Sequence, residues 1–166
     1  RVSRRVHRWE VLDPVIGRKL AEPIVPNWDH GAKPAAVECK LKALPSLEER
    51  VAMDDLLKEY EMLGCFEQDP TNHDRYVMSM FPVTKKEKGS WRLVSNARPI
   101  NVHIHKSHFK QEGLKDVEQI LERNDWQCCT DLSSAFIHLA GTEEWAEVHQ
   151  IRHGPLRLRW SCLFFG

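Results

Sequence analysis

Apolar residues return every three or four positions between Ser46 and Gly64. Met53, Leu56, Leu57, Tyr60 and Leu63 form one stripe, and Leu47 and Val51 share an adjoining face. The spacing predicts a helix whose stripe is packed into a core. Ser46 and Glu49 match a capping box, in which each side chain satisfies the other's free backbone amide. Pro45 stands just outside it, and Gly64 sits where a left-handed residue ends a helix.

Past a polar turn at 68–72 the period shortens. Residues 76–83 and 91–94 carry Tyr, Val, Met, Phe, Trp and Leu at strand-like intervals. The polar stretch 84–90, with Gly89, joins them as a hairpin with a cationic tip. Residues 114–123 follow Gly113, with Leu114, Val117, Ile120 and Leu121 on one face of a short helix. Residues 126–130 predict a short buried strand after the turn signal Asn124-Asp125. Glu143, Glu144 and Trp145 suggest one helical turn. Residues 146–152 and 156–162 predict two strands around His153-Gly154-Pro155. This mixture of elements is an α+β class.

The first 45 residues differ from the rest. Prolines at 14, 23, 26, 34 and 45 interrupt helical runs, so 1–45 is expected to be an extended Pro-rich leader with one or two short elements. Trp9 and Trp28 are candidates to dock it on the body, which is assigned to 46–166. No internal repeat or low-complexity tract is visible.

Composition narrows the partners only slightly. Lys plus Arg equals Asp plus Glu at 24 each, so net charge gives no support to a strong nucleic-acid binder, although local clusters can still hold phosphate. Five cysteines, an odd number without framework spacing, suggest reduced thiols and an intracellular (cytoplasmic or nuclear) setting. Cys128, Cys129 and Cys162 are expected to be small buried apolar residues. No apolar run approaches the ~20 residues that span a bilayer, so no membrane partner is expected. The chain begins at Arg1 and stops at Gly166, directly after an apolar run, and is expected to be a segment of a longer polypeptide.

Three places carry candidate chemistry. Asp131 closes the strand expected at 126–130. There it can ligate a hard cation such as Mg²⁺, or cap the turn using Ser133 and Ser134. The hairpin tip can be a solvated turn, or a clamp in which Lys85 and Arg92 reach one anion from two strands. His103, His105 and His108 invite a metal reading, but no Cys or carboxylate completes a zinc set at the usual spacing.

Taken together these stretches resemble a known family. Residues 81–92 are similar to the fingers hairpin of reverse transcriptases. Trp91-Arg92-Leu93-Val94-Ser95-Asn96-Ala97-Arg98-Pro99-Ile100-Asn101 resembles that family's Trp-Arg-x-aliphatic-x-Asp-x-Arg-x-Leu-Asn pattern. Asp131-Leu132-Ser133-Ser134-Ala135-Phe136 resembles its first palm motif, Asp-Leu-x-x-Ala-aromatic. Leu163-Phe164-Phe165-Gly166 resembles the opening of the next, Pro-Phe-Gly. Phe109-Lys110-Gln111-Glu112-Gly113-Leu114 is similar to a segment of retrotransposons of the DIRS-like type. The likeness runs from about residue 55 to 166. It departs from the pattern at Asn96, where the family has Asp, and at Phe164, where it has Pro. Ser134 stands where relatives often carry a second Asp.

The resemblance implies a partial right-hand polymerase: a fingers hairpin plus part of an antiparallel palm sheet with packed helices. It implies that Asp131 is a catalytic, metal-binding carboxylate with the Leu132 carbonyl beside it, and that Mg²⁺ (or Mn²⁺) is the cofactor. Lys85 and Arg92 would hold the triphosphate of an incoming dNTP, Phe136 would exclude a 2′-hydroxyl, and Arg98 and Asn101 would position the template or fix the fingers. Implied partners are an RNA or DNA template-primer and the remainder of the polymerase chain. The family's aromatic-x-Asp-Asp turn does not occur in these 166 residues, which are not expected to polymerise alone. Two functions follow as expectations: a segment of an RNA-directed DNA polymerase, a nucleotidyltransferase; or a non-catalytic remnant of one, serving as a scaffold in a larger assembly.

Overall fold

The computed structural model describes residues 14–44, 46–71, 73–87, 89–108, 110, 113–126, 128 and 134–164. In chain order the elements are α1 (Pro14–Ala21), a 3₁₀ turn (Asp29–Gly31), α2 (Leu47–Met62), β1 (Phe66–Gln68), β2 (Met80–Thr84) and β3 (Trp91–Ser95). Then come α3 (Arg98–Asn101), α4 (Leu114–Glu118), a second 3₁₀ turn (Ala135–His138), α5 (Glu143–Glu147), β4 (Gln150–His153) and β5 (Leu156–Trp160). Among the described residues no helix is long and apolar enough to cross a membrane.

Helix α2 starts and stops where its sequence dictates. Ser46 and Glu49 form both halves of the capping box. At the other end Gly64 takes φ +66°, and the amides of Gly64 and Cys65 bond back to Glu61 and Tyr60, the paired bonds of a Schellman motif. The buried face is Ala52, Met53, Leu56, Leu57 and Tyr60. Leu47, Val51 and Leu63 were expected to add to it, but they stay exposed, because β2 and β3 pack against the other face.

The strands form two antiparallel groups. β2 and β3 make a hairpin in which Val83 faces Arg92 and Thr84 faces Trp91. β1, β5 and β4, in that order, make a three-stranded sheet. The strand expected from Tyr76 begins only at Met80. Val77 instead touches Gln150 in a single parallel bridge, which joins the two groups. Met53, Leu57, Phe66, Met80, Leu93, Ile151, Leu158 and Trp160 fill the space between α2 and these strands. Trp160 sits at the centre. Its ring meets Phe66 at 4.5 Å and Phe164 at 4.8 Å between centroids, and its indole N–H donates to Ser95 Oγ.

The segment before α2 lies against this body. Trp28 packs with Tyr76, Ile100 and Val148, and its Nε1 donates to Glu144 at 2.7 Å. The Tyr76 hydroxyl donates to the Pro34 carbonyl, and the Lys42 amide donates to Ser79 Oγ. Pro14 occupies the first position of α1, where its missing N–H costs no hydrogen bond. Trp9 lies outside the described residues.

Gly141 is held by a close approach. Its amide donates to the Ser161 carbonyl, and a Cβ built there would overlap the Trp145 indole and stand 2.9 Å from that residue's own Cβ. Trp145 cannot retreat, because its ring is buried and its Nε1 donates to the Cys162 carbonyl. Gly141→Ala is therefore expected to lower unfolding free energy by about 1–3 kcal/mol, the usual range for overpacking. Urea denaturation checks this, and a variant as stable as the parent would show that the ring can move.

Three further sequence expectations differ from the structure. The helix expected over 114–123 stops at Glu118. Gly113 begins it and Asp116 caps it, but Leu114, Val117, Ile120 and Leu121, the face expected to pack, all stay exposed. Of the strand expected at 126–130, the described residues Trp126 and Cys128 are not in a strand, and both are exposed. Cys128 is therefore not the buried residue expected, whereas Cys162 is. Gln127, Cys129 and Thr130 lie outside the described residues.

Candidate functional site

The hairpin sets the first wall of a cleft. Side chains alternate along a strand, and cross-strand partners share a face. Pro82 and Leu93 point into the core, so Val83 and Arg92 point away from it together. The Lys85 amide bonds to the Ser90 carbonyl and carries the same alternation one step further. Gly89, with φ +79°, closes the tip. Lys85 and Arg92 are thus placed on one side by register alone.

The second wall comes from a distant part of the chain. Ser134, at φ +53°, leads into the 3₁₀ turn Ala135–His138. Ile137 is buried against the core and anchors that turn, leaving Phe136 nearly half exposed on the opposite side. The floor is α2, through Leu56, Glu59 and Tyr60. The resulting cleft has a volume of about 780 Å³, and its lining includes Lys85, Lys86, Arg92 and Phe136.

The electrostatics of the cleft are mixed. Among the described residues its lining holds Lys85, Lys86, Arg92 and Glu87 on the hairpin and Glu59 on α2. The Tyr60 hydroxyl has a raised pKa. Burial is the largest cause, Glu59 adds to it, and Arg92 opposes it. Tyr60 therefore stays a neutral hydroxyl.

Lys85, Arg92 and Phe136 therefore meet in one cleft. Asp131 and Leu132 lie outside the described residues; Ser134 and Ala135, which follow them in sequence, line the cleft. Arg98 and Asn101 do not line it. Both are exposed on α3, which is held by buried Ile100, and the Arg98 amide bonds to Asn96 Oδ1. Among the described residues, no group of three or more His, Cys, Asp or Glu could hold a metal ion, His103, His105 and His108 included.

Sequence reasoning missed the contribution of α2 to this site. Leu56 and Tyr60 were read as core, which they are, but the same helix turns also form the cleft floor. Helical periodicity shows which residues share a face; it does not show that a hairpin and a 3₁₀ turn will border that face. Glu59, one position before Tyr60, had no signal of its own.

No family model matches this sequence, and no curated protein does. Solved structures do. The chain is similar to a foamy viral protease-reverse transcriptase solved with double-stranded DNA, with a TM-score of 0.67 and 15% identity. The match covers 87% of this chain and 25% of the viral one. A second structure of the foamy viral protease-reverse transcriptase with double-stranded DNA gives a TM-score of 0.65 at 15% identity, over 86% of this chain and 29% of the other. The chain thus spans between a quarter and a third of the length of these proteins. The fold is a mixed α+β arrangement with antiparallel sheets that matches part of a reverse-transcriptase polymerase.

Proposed function

We propose that this chain is the fingers and first part of the palm of an RNA-directed DNA polymerase, and that its cleft receives the triphosphate of an incoming dNTP. The observation that carries this reading is the meeting of Lys85, Arg92 and Phe136 in one cleft, on a scaffold with a reverse-transcriptase-like fold. Phosphoryl transfer asks a protein for positioning and charge neutralisation more than for covalent chemistry. Lys85 supplies a mobile point charge and Arg92 a planar fork suited to phosphate oxygens. Phe136, a ring on an anchored turn that lines the cleft, would occupy the volume a 2′-hydroxyl needs. Arg98 and Asn101, outside the cleft and exposed, are proposed to contact the template-primer rather than the nucleotide.

The metal part of the proposal rests on Asp131. Its carboxylate is of the hard oxygen type that Mg²⁺ or Mn²⁺ takes, with the Leu132 carbonyl as a second oxygen. When bound, the ion would supply charge neutralisation at the phosphates. Catalysis is proposed to need the remainder of the polymerase chain, which would bring further carboxylates.

The test is nucleotide binding by the purified chain, read by isothermal titration with dNTP and Mg²⁺. Lys85→Ala and Arg92→Ala are each expected to weaken binding about tenfold, the scale of one charge-assisted hydrogen bond. Phe136→Val is expected to let the matching ribonucleotide bind nearly as well as the deoxynucleotide. Affinities unchanged in both cation variants would remove the cleft from its proposed role.

A further inference from the structure

A second hollow adjoins the cleft. It lies between the early turns of α2 and the hairpin tip, has a volume of about 820 Å³, and is bordered by Leu47, Val51 and Asp55 among others. The two hollows share Leu56, Glu59, Lys85 and Trp91. Glu59 therefore stands on the ridge between them, on the wall facing the lysines.

Glu59 is an exposed acid of α2 that lines the cleft together with Lys85, Lys86 and Arg92. Its carboxylate, like those of Glu48 and Glu61, forms no hydrogen bond or ion pair among the described residues, and Glu59 differs from those two in lining the cleft. Its neighbour Tyr60 feels the charge of Glu59 and that of Arg92 together, so the acid lies within electrostatic reach of the proposed phosphate clamp. Among the described residues of the cleft lining, the charged side chains are Lys85, Lys86 and Arg92 with Glu59 and Glu87.

We infer that Glu59 is a charge filter, which disfavours a bare polyphosphate and so selects the nucleotide that arrives with a divalent cation. The inference rests on the proposed nucleotide reading of the cleft. Repulsion from a fixed carboxylate grows with the charge of the ligand. A divalent cation on the triphosphate cancels part of that charge, so the complex meets less repulsion than the free nucleotide. Lys85 and Arg92 attract both forms; Glu59 separates them. Because the site is open to water, the effect is screened by salt.

The experiment measures the dissociation constant of dATP with Mg²⁺ and with EDTA, at low and high salt, for the wild type, Glu59→Gln and Asp55→Asn. Asp55 borders only the second hollow and serves as the control for a simple change in overall charge. Glu59→Gln is expected to tighten metal-free binding about fivefold at low salt, as removal of one nearby charge should. The magnesium complex should gain clearly less, and the difference should vanish at high salt. Asp55→Asn should change neither. Circular dichroism confirms the fold, and Glu59→Ala supplies a second variant should the glutamine form a new hydrogen bond. Equal gains for both ligand forms, no gain, or the same gain from Asp55→Asn would each overturn the filter while leaving the cleft reading intact. A wild type that binds neither form of dATP overturns the cleft reading and this inference with it.

Discussion

Asp69→Ala is expected to destabilise the protein by about 3–5 kcal/mol, the cost of removing one partner from a buried ion pair. The Asp69 side chain is fully shielded from solvent, and each of its oxygens takes two hydrogen bonds. Oδ1 accepts from the Thr71 amide at 3.0 Å and its hydroxyl at 2.7 Å. Oδ2 accepts from Arg152 at 2.7 Å and from Gln150 Nε2 at 3.1 Å. Burial pushes its pKa up, but the bonds from Thr71 and the charge of Arg152 together outweigh that, and the carboxyl titrates below its ordinary value.

Alanine leaves Arg152 with one exposed acid, Asp74, and strips Gln150 and Thr71 of an acceptor in a place water does not reach. The loss is a large share of the ~5–15 kcal/mol that holds a domain together. Asp69→Asn removes the charge and keeps only one accepting oxygen, and its amide nitrogen would face donors on the other side, so it should recover little of the alanine loss. Asp74→Ala, on an exposed partner, should cost under about 1 kcal/mol. Urea unfolding of the three variants checks the order. An Asp69→Ala protein within 1 kcal/mol of the wild type would mean the network relaxes around its loss.

That network was invisible in the sequence. Asp69, Thr71, Gln150 and Arg152 come from two segments far apart in the chain, and none of them sits in a motif. By contrast the ends of α2 were legible, because a capping box and a left-handed glycine act through residues three or four apart. The β2–β3 and β4–β5 hairpins were legible for the same reason, through Gly89 and Gly154, both at positive φ. The three-residue β1 was not: Phe66–Gln68 is too short to show a period, and pairing with β5 makes it a strand. The site divides the same way. Lys85, Arg92 and Phe136 stood out by type and resemblance, while Glu59 and Tyr60 gained their place only when the hairpin folded over α2.

Acidification should destabilise the protein well above the range where most carboxylates titrate, and His149 is the cause. Its ring is buried between Trp145, at 4.0 Å, and Phe164, at 5.1 Å between centroids. Nδ1 lies 2.6 Å from the Trp145 carbonyl, which assigns the proton to that nitrogen, and Nε2 is buried with no partner among the described residues. A second proton would have to sit on Nε2 with nothing to receive it. Burial accordingly lowers the pKa to about 4, and the carbonyl bond, which pulls the other way, is the smaller cause. The unfolded chain takes up this proton near pH 6.5, and the folded chain only near 4. Between those values the unfolded state binds more protons, so stability is intact above about pH 6.5 and falls as pH drops toward 4. The full loss is about 3 kcal/mol, at 1.36 kcal/mol per pH unit. Asp69 also loses stability on acidification, but its depressed pKa puts that loss below the ordinary carboxylate range, so the two windows separate. Urea midpoints from pH 7.5 down to 4.5 should show the His149 slope, and His149→Phe should flatten it. An imidazole that titrates near 6.5 by NMR in the folded protein would mean the ring reaches water, and the predicted slope would then have no source.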